Sequence, residues 1–330
     1  MIKKFVIAII FICTYILNAY TISSKHSLSV LDTSSARASG MMNSSFLIGN
    51  DSSSLFFNTS SLMMNLRDNI SFNYTISPDF KNEYIFNTSY SHIGNNYAIG
   101  IGFALDIDRV NFYDVLGNKG NNIYNGLYLI NIGVAYAINE SSFIGGNIKA
   151  VINNIDTDNN FGMFLDLYYM RSIFTPSFKI GIGIRNFGFY DDIFAKIDTD
   201  IKVSLSYSKS DYSFNVSIQY GISVPSVNHE IAVGIEGMIV DFNKLGLFND
   251  NNLIWYDDLP ENILDAPNSV QKRLSTKLPS GIRTWFGVGN KGCSLGLSLY
   301  VKLFRLDYAI CFNNFSKNNI SHNLGLGFIF

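Results

Sequence analysis

The stretch Ile320–Phe330 (ISHNLGLGFIF) decides how the fold of this chain is interpreted. From Leu324 onward a large apolar side chain stands at every second position, with Gly325 and Gly327 between them. A period of two is typical of a β-strand with two unlike faces. The unpaired edge of such a strand promotes aggregation unless another strand covers it. We therefore expect this strand to pair with the first strand of the same chain, which closes a barrel.

The same alternation recurs upstream, and it is clearest in residues 96–107. Each run is close to the ~9–11 residues with which a tilted strand crosses a bilayer. A soluble β-sandwich also alternates, but tyrosines near the ends of the runs favour a membrane barrel with aromatic girdles. We predict an all-β fold, a closed antiparallel transmembrane β-barrel of about fourteen strands. The fourteen runs are 69–77, 83–92, 96–107, 126–138, 143–153, 161–171, 178–187, 200–208, 212–222, 229–240, 281–289, 293–303, 304–312 and 320–330.

The composition excludes several classes of protein. The 330 residues carry a formal net charge of −2, which does not suit a nucleic-acid-binding protein. Charged residues make up 15% of the chain, against roughly 25% in soluble domains. Beyond the N-terminus we find no run of 18 apolar residues that would form a membrane helix. Apolar content that is dispersed by alternation is what a membrane barrel requires.

The N-terminal 66 residues divide into two parts. Residues 1–20 have a charged start, an apolar middle and Ala19 as a cleavage position, which indicates a signal peptide. A retained membrane anchor is the alternative, although the apolar run is short for spanning. Residues 21–66 do not alternate and are rich in Ser, Asn and Met. We predict that they form an N-terminal hatch or plug segment inside or under the barrel.

The remaining residues, 67–330, form the predicted barrel, and their loops follow from strand parity. The loops predicted at the extracellular end include residues 108–125. Residues 241–280 form a long insert, which parity places on the periplasmic side. Two cysteines, Cys293 and Cys311, lie on opposite faces of neighbouring strands, so they are predicted to be free thiols.

By the same parity, most charged residues of the strands face the lumen. An Arg or Lys that faces lipid near the midplane would cost about 2–4 kcal/mol. Mixed signs suggest a ladder of ion pairs that braces the barrel. Alternatively, Arg185 or Arg305 binds the carboxylate head group of a ligand. Lys179, Lys202 and Lys302 share this parity, and the main ladder is Asp106, Lys149, Asp166, Arg185, Glu236, Arg283, Arg305 and Asp307.

Several segments together resemble PorV/PorQ-type proteins of the FadL-like outer-membrane barrel superfamily. The final strands carry Arg305–Ala309 (RLDYA) and Gly325–Phe330 (GLGFIF). A central block comprises Gly145–Lys149 (GGNIK), Leu165–Leu167 (LDL) and Gly181–Gly188 (GIGIRNFG). An opening motif comprises Ala36–Met41 (ARASGM) and Asp51–Asn58 (DSSSLFFN). That motif normally ends Asn-Pro-Ala, whereas this chain has Asn58-Thr59-Ser60.

The resemblance implies a fourteen-stranded barrel with a hatch, whose residues here are Arg37, Gly40, Asp51 and Asn58. It implies passive transport of small hydrophobic solutes such as long-chain fatty acids. The alternatives are a PorV-like shuttle that docks secreted proteins, or a purely structural barrel. Expected partners are outer-membrane lipid, a hydrophobic ligand or a secreted protein, and the barrel-assembly machinery. We expect that machinery to recognise the C-terminal signal Leu326, Phe328 and Phe330.

From the sequence we expect a protein of the outer membrane of a diderm bacterium. We expect it not to be an enzyme and to have no cofactor and no metal site. Gly292–Gly296 spells a nucleophile elbow, but it lies within an alternating run and not before a helix. The histidines show no ligand spacing. The one arrangement that a hydrolase could use is His229 beside Glu230, if His322 lies nearby.

Overall fold

A computed structural model describes most of the chain. The described residues are 31, 35–49, 51–65, 67–77, 83–113, 119–155, 158–191, 197–209, 214–242, 245, 280–314 and 320–330, with the backbone alone for 108–113, 119–125, 155 and 158. The predicted signal peptide lies outside these residues. So does nearly all of the predicted insert at 241–280.

Fourteen strands form the sheet, and their bounds agree closely with the alternating runs. The main difference is at residues 108–125, which we predicted to be a loop. There β3 continues to Tyr113 and β4 already begins at Lys119, because the two backbones stay paired beyond the apolar region. The strands are β1 (Asn69–Ser77), β2 (Glu83–Ile93), β3 (Tyr97–Tyr113), β4 (Lys119–Asn139), β5 (Ser142–Ile155), β6 (Asp158–Ser172), β7 (Phe178–Tyr190), β8 (Thr199–Ser208), β9 (Phe214–Val224), β10 (Asn228–Asp241), β11 (Gly281–Gly289), β12 (Gly292–Val301), β13 (Phe304–Asn313) and β14 (Ile320–Ile329).

The sheet closes as predicted. Each strand pairs antiparallel with its neighbours in sequence, and β1 pairs with β14 from Asn69–Ile329 to Ile76–His322. The edge of the last strand is therefore covered, which removes the template for aggregation. We call the end of the barrel that holds Asn69 and Ile329 the periplasmic end, following the usual arrangement of bacterial barrels with an even number of strands.

The two faces of the wall differ as the alternation requires. Outward positions are apolar and exposed, as with Ile101 (52%) and Ile132 (53%), whereas their neighbours in sequence are buried inside. Exposed tyrosines such as Tyr97 and Tyr220 lie near the strand ends. This is the lipid-facing surface of a transmembrane barrel. Within the described residues, no helix is long and apolar enough to cross a membrane.

Residues 35–65, which we call the plug, lie inside the barrel. They form α1 (Ala36–Gly40) and three short 3-10 helices, η1 (Ser44–Leu47), η2 (Ser52–Phe56) and η3 (Thr59–Met64). Side-chain oxygens of Ser35, Asp51 and Asn58 cap the N-termini of α1, η2 and η3. Such caps bind backbone N–H groups that have no partner within the helix, so these helices are stabilised although they are short.

The plug fits because the wall provides glycines where the plug backbone approaches. A Cβ atom at Gly145 would lie 2.4 Å from the Ser60 nitrogen, and one at Gly287 would lie 2.4 Å from the Met41 carbonyl carbon. Both distances are far below a van der Waals contact. At Gly145 and Gly287 the plug backbone is therefore in direct contact with the wall.

Candidate functional site

The inner wall of β3–β6 carries an apolar cluster, which is unusual because the interior of a membrane barrel is generally polar. Its wall residues come from four consecutive strands, and Leu31 and Phe56 pack into it from the N-terminal segment. Tyr190 of β7 and Ile197, just before β8, pack against its edge. The wall residues of this apolar cluster are Ala104, Leu127, Leu129, Val151 and Phe164.

Beside the apolar cluster, β7 contains a bulge. Leu165 pairs with Phe187 and Leu167 pairs with Ile184, so two β7 residues lie opposite Asp166 where a regular ladder has one. The extra residue is Asn186, whose φ of 57° is left-handed. A bulge bends its strand and disrupts the local ladder.

A buried network holds the bulge in place. The Asn186 amide donates to Asp166 Oδ1 at 2.7 Å, and Asp166 Oδ2 forms an ion pair of 2.7 Å with Lys149 Nζ. Lys149 also donates to Asn186 Oδ1 at 2.9 Å. Tyr168 completes the network by donating its hydroxyl to Asp166 Oδ2 at 2.8 Å. These groups are fully or almost fully buried. Because both Asp166 and Lys149 bind Asn186, their ion pair stabilises the bulge as well as the pairing of β5 with β6.

Above the bulge the pairing between β7 and β8 ends. The last pair is Arg185–Asp200, and the described residues of β7 beyond it pair with β6 alone. Phe187, Gly188 and Phe189 are all exposed, so the alternation of buried and exposed positions is lost there. Among the described residues the ladder therefore has a break between the upper part of β7 and β8, and the apolar cluster reaches this break through Tyr190 and Ile197.

Arg185 lies at the lower edge of the break and binds the N-terminal segment. Its Nη2 donates to the carbonyl oxygens of Leu31 at 2.8 Å and of Phe56 at 3.4 Å. These are the two residues that enter the apolar cluster from the lumen. The sequence suggested Arg185 as a head-group ligand, whereas in this structure it positions the segment that occupies the cluster.

The rest of the charged ladder also connects the wall to the plug. Glu236 binds Arg37 of the plug at 2.5 Å and Arg283 of the wall at 3.3 Å. Arg305 binds Asp51 of the plug at 2.7 Å and Asp307 of the wall at 2.8 Å. Asp106, the remaining member, is also buried on the inner face. Lys302 is different, because it is exposed in the turn between β12 and β13, and its predicted lumenal position is wrong.

The ion pairs keep the plug residues charged. Burial lowers the pKa of Arg37, but Glu236, Tyr300 and Asp51 together raise that pKa by more, so the net shift is upward. Burial raises the pKa of Asp51, but Arg305 and a hydrogen bond from Ser53 hold that pKa below its usual value. Both groups are therefore ionised at neutral pH, as their partners require.

The other two residues predicted for the hatch are packing residues. Gly40 lies against the indole of Trp285, where a Cβ would approach Nε1 to 1.7 Å. Asn58 is fully buried, caps η3 and donates to the Phe46 carbonyl at 2.6 Å. Where the resembling family has proline, the Thr59 hydroxyl donates to Asn147 of the wall at 2.9 Å.

The suggested histidine cluster is wrong. His229 accepts or donates a 2.7 Å bond with the Tyr220 hydroxyl, and His322 does the same with Tyr308 at 2.9 Å. The two histidines lie on β10 and β14, with three strands between them. Ser294 lies inside β12, where its hydroxyl accepts from the Met42 amide of the plug. Cys293 and Cys311 are free thiols on opposite faces, as predicted.

Several solved structures are similar to this chain over most of its length. The chain is similar to the CymD monoaromatic hydrocarbon channel, with a TM-score of 0.55 and 12% identity over 91% of this chain and 98% of that one. It is similar to a Pseudomonas aeruginosa FadL homologue, with a TM-score of 0.56 and 8% identity over 90% and 98%. A deltaS2 mutant of the TodX monoaromatic hydrocarbon channel gives 0.52 and 8% over 86% and 95%.

This chain has the FadL-type fold. No protein-family model and no curated protein matches the sequence. The FadL-type fold accounts for the closed fourteen-stranded barrel, which is the fold of outer-membrane channels. The closer resemblance to PorV and PorQ stays a prediction.

The sequence did not identify the apolar cluster. The alternation assigns residues to faces, but it does not show which inner-face residues contact one another across the lumen. A signal was present, because residues 127–132 of β4 (LYLINI) are apolar on both faces over four positions. A membrane strand that is apolar on its inner face too indicates a buried apolar contact inside the lumen.

Proposed function

We propose that this chain carries small hydrophobic molecules passively across the outer membrane. The apolar cluster is the binding site, and the break between β7 and β8 is a lateral opening toward the lipid. The observation that carries this proposal is an apolar inner wall that extends to a break in the ladder, with Leu31 packed against it. A hydrophobic molecule that replaces Leu31 buries its surface without needing a charged partner.

The substrate class follows from the cluster's chemistry. Its five wall residues are all hydrocarbon side chains, and the two cations beside it are engaged: Lys149, opposite Phe164, binds Asp166, and Arg185 donates to two carbonyl oxygens. This lining favours an uncharged hydrocarbon, and CymD and TodX, which share the fold, are named as monoaromatic hydrocarbon channels. The long-chain fatty acids expected from the sequence remain in the same class, with the carboxylate outside the cluster.

In this proposal the plug, residues 35–65, stays in place. Only the segment around Leu31, which precedes the plug, moves. Buried ion pairs at Arg37 and Asp51 attach the body to the wall. Leu31 is held by one guanidinium and by apolar contacts that a solute could replace. Transport in this proposal therefore requires only a small movement around Leu31, and not displacement of the whole plug.

Filling the apolar cluster with a larger side chain should slow transport. Ala104→Phe adds a ring where Ala104 is fully buried. Overpacking of a filled site costs about 1–3 kcal/mol, so we expect uptake of labelled toluene into proteoliposomes to fall by roughly tenfold. The matched control is Leu105→Phe, since Leu105 is the next residue and faces the lipid. Equal uptake by both variants would show that the cluster is not on the transport path.

Fixing the plug body should leave transport intact. Cys311 Sγ lies 3.4 Å from the Ser39 carbonyl oxygen, so Ser39→Cys in a Cys293→Ser background places a second thiol on the plug residue that Cys311 contacts, and loss of free thiols on oxidation verifies the cross-link. We expect the oxidised protein to take up labelled solute at the rate of the reduced protein. The control is the same variant with Cys311→Ser. A loss of uptake on oxidation that dithiothreitol restores would show that the whole plug must move.

The alternative function, docking of secreted proteins, stays a prediction from the resemblance. It depends on outer loops or on the 241–280 insert, most of which lies outside the described residues. Secreted proteins that co-purify in a gentle detergent would support it. It would fail if none co-purified while solute uptake was measured with the same preparation.

A further inference from the structure

The apolar cluster has a polar residue at its edge, Asn153 on β5. Asn153 lies on the inner face, two positions from Val151 and directly opposite Leu127 of β4, and both of these belong to the cluster. Its Nδ2 donates to the Tyr190 hydroxyl at 3.0 Å, and Tyr190 packs against the cluster from β7. The side chain therefore borders the cluster where the cluster reaches the break between β7 and β8.

The acceptor oxygen of this amide is not used. Asn153 is 5% exposed, and its Oδ1 accepts no hydrogen bond among the described residues. Buried polar side-chain atoms in folded proteins nearly always have a partner, so an exception beside a binding site points to a partner that arrives with the ligand. A molecule that occupies the cluster and carries a hydrogen-bond donor would supply this partner.

Two aromatic rings lie beside Asn153, over a glycine. Gly162 of β6 pairs with Tyr190, and a Cβ at Gly162 would lie 2.8 Å from Tyr190 Cδ2 and 3.0 Å from Phe164 Cε2. Any larger residue at Gly162 would displace these rings. The surface around the Asn153 amide is thus aromatic as well as aliphatic, which suits an aromatic ring as its ligand.

The row of the ladder that contains Asn153 has no cation among its described side chains. A carboxylate head group at this edge would therefore be buried without a countercharge, and that is far more costly than burying a hydroxyl beside an acceptor. The site favours a neutral donor over an acid. The inner-face residues of this row are Asp106 on β3, Leu127 on β4, Asn153 on β5 and Asn160 on β6.

We propose that the preferred solutes of the apolar cluster are neutral hydrocarbons with one hydroxyl group, such as phenols, and that Asn153 Oδ1 accepts a hydrogen bond from that hydroxyl. The hydrocarbon part takes the place of Leu31, and the hydroxyl lies beside Asn153. This inference rests on the proposed function, because it names the substrate class and a specificity-determining residue of the same site. Loss of the amide should change the choice between solutes and not the binding of hydrocarbons in general.

The test compares p-cresol with p-xylene, in which a methyl group replaces the hydroxyl on the same ring. Each compound displaces labelled toluene from the purified full chain in detergent, and the ratio of the two half-displacing concentrations measures the preference. We expect Asn153→Leu, which is similar in shape and has no acceptor, to reduce the preference for p-cresol roughly five- to tenfold. Asn153→Ala removes the same oxygen without adding bulk and should act in the same direction. Partition into detergent is equal for all variants, so it cancels in the comparison.

Gln219→Met is the matched control. Among the described residues Gln219 Nε2 is also buried without a partner, but Gln219 lies on β9, away from the cluster, so its loss should leave the ratio unchanged. A general folding defect would weaken both compounds together, whereas loss of the hydrogen bond weakens p-cresol alone.

The outcomes separate this inference from the proposed function. If toluene binds but both Asn153 variants keep the wild-type ratio, or if Gln219→Met lowers the ratio equally, the role of Asn153 is overturned and hydrophobic transport is not. If the wild type binds none of the three compounds and takes up none of them in proteoliposomes, both are overturned.

Discussion

Glu236→Ala is expected to free the plug from the wall and to lower the free energy of unfolding by about 3–5 kcal/mol. Glu236 is 1% exposed and is the shared partner of Arg37 in the plug and Arg283 in the wall. Asn215 adds a hydrogen bond of 2.7 Å to the same carboxylate. Without it, two guanidinium groups remain buried and close together and lose the carboxylate that both of them bind. The resulting repulsion acts directly across the contact between plug and wall.

The measurement is denaturant unfolding in lipid vesicles together with trypsin cleavage after Arg37, which the intact barrel protects because Arg37 is buried. Glu140→Ala is the control, because Glu140 is exposed in the turn between β4 and β5. Glu236→Gln should fall between them, since it keeps the volume and loses the charge. A Glu236→Ala protein with wild-type stability and a protected Arg37 would show that packing, and not this carboxylate, retains the plug.

Gly145→Ala and Gly287→Ala should each expel the neighbouring part of the plug. The added Cβ would lie 2.4 Å from the Ser60 nitrogen in one case and 2.4 Å from the Met41 carbonyl carbon in the other. Both contacts are with plug backbone, which cannot rotate away as a side chain can. We expect a loss of about 1–3 kcal/mol for each variant. The two sites contact different plug helices, so the double variant should show roughly the sum.

Gly221→Ala is the matched control, because Gly221 also faces the lumen but its Cβ would meet its nearest neighbour at 3.5 Å. Alanine is preferred to glycine within a strand by roughly 0.5–1 kcal/mol, so this variant should be neutral or slightly more stable. The readouts are again unfolding and trypsin cleavage at Arg37. Equal effects at all three positions would mean that strand propensity, and not contact with the plug, explains the glycines.

The break in the ladder between β7 and β8 coincides with one extra residue in β7. The stretch Gly181–Gly188 (GIGIRNFG) was noticed in the sequence as part of a family resemblance, without a structural role. Its centre, Arg185 and Asn186, is the bulge where the β7–β8 pairing stops. A left-handed φ at asparagine costs little locally, but nothing in the alternation shows where the ladder ends.

The sequence alone determined the barrel. A side chain that alternates between lipid and lumen has a period of two, and this period can be read over every strand, including the closing pair β1–β14. It also determined that Lys149, Glu236 and Arg305 face inward, since lipid excludes charge.

Only the tertiary structure decided what those inner residues bind. Arg305 and Glu236 hold the plug, and Arg185 holds Leu31, because residues distant in sequence meet there only after the barrel has closed. The same holds for the apolar cluster and for the break beside it. Each depends on contacts across the lumen, and the alternation within a strand carries no information about what lies on the opposite side.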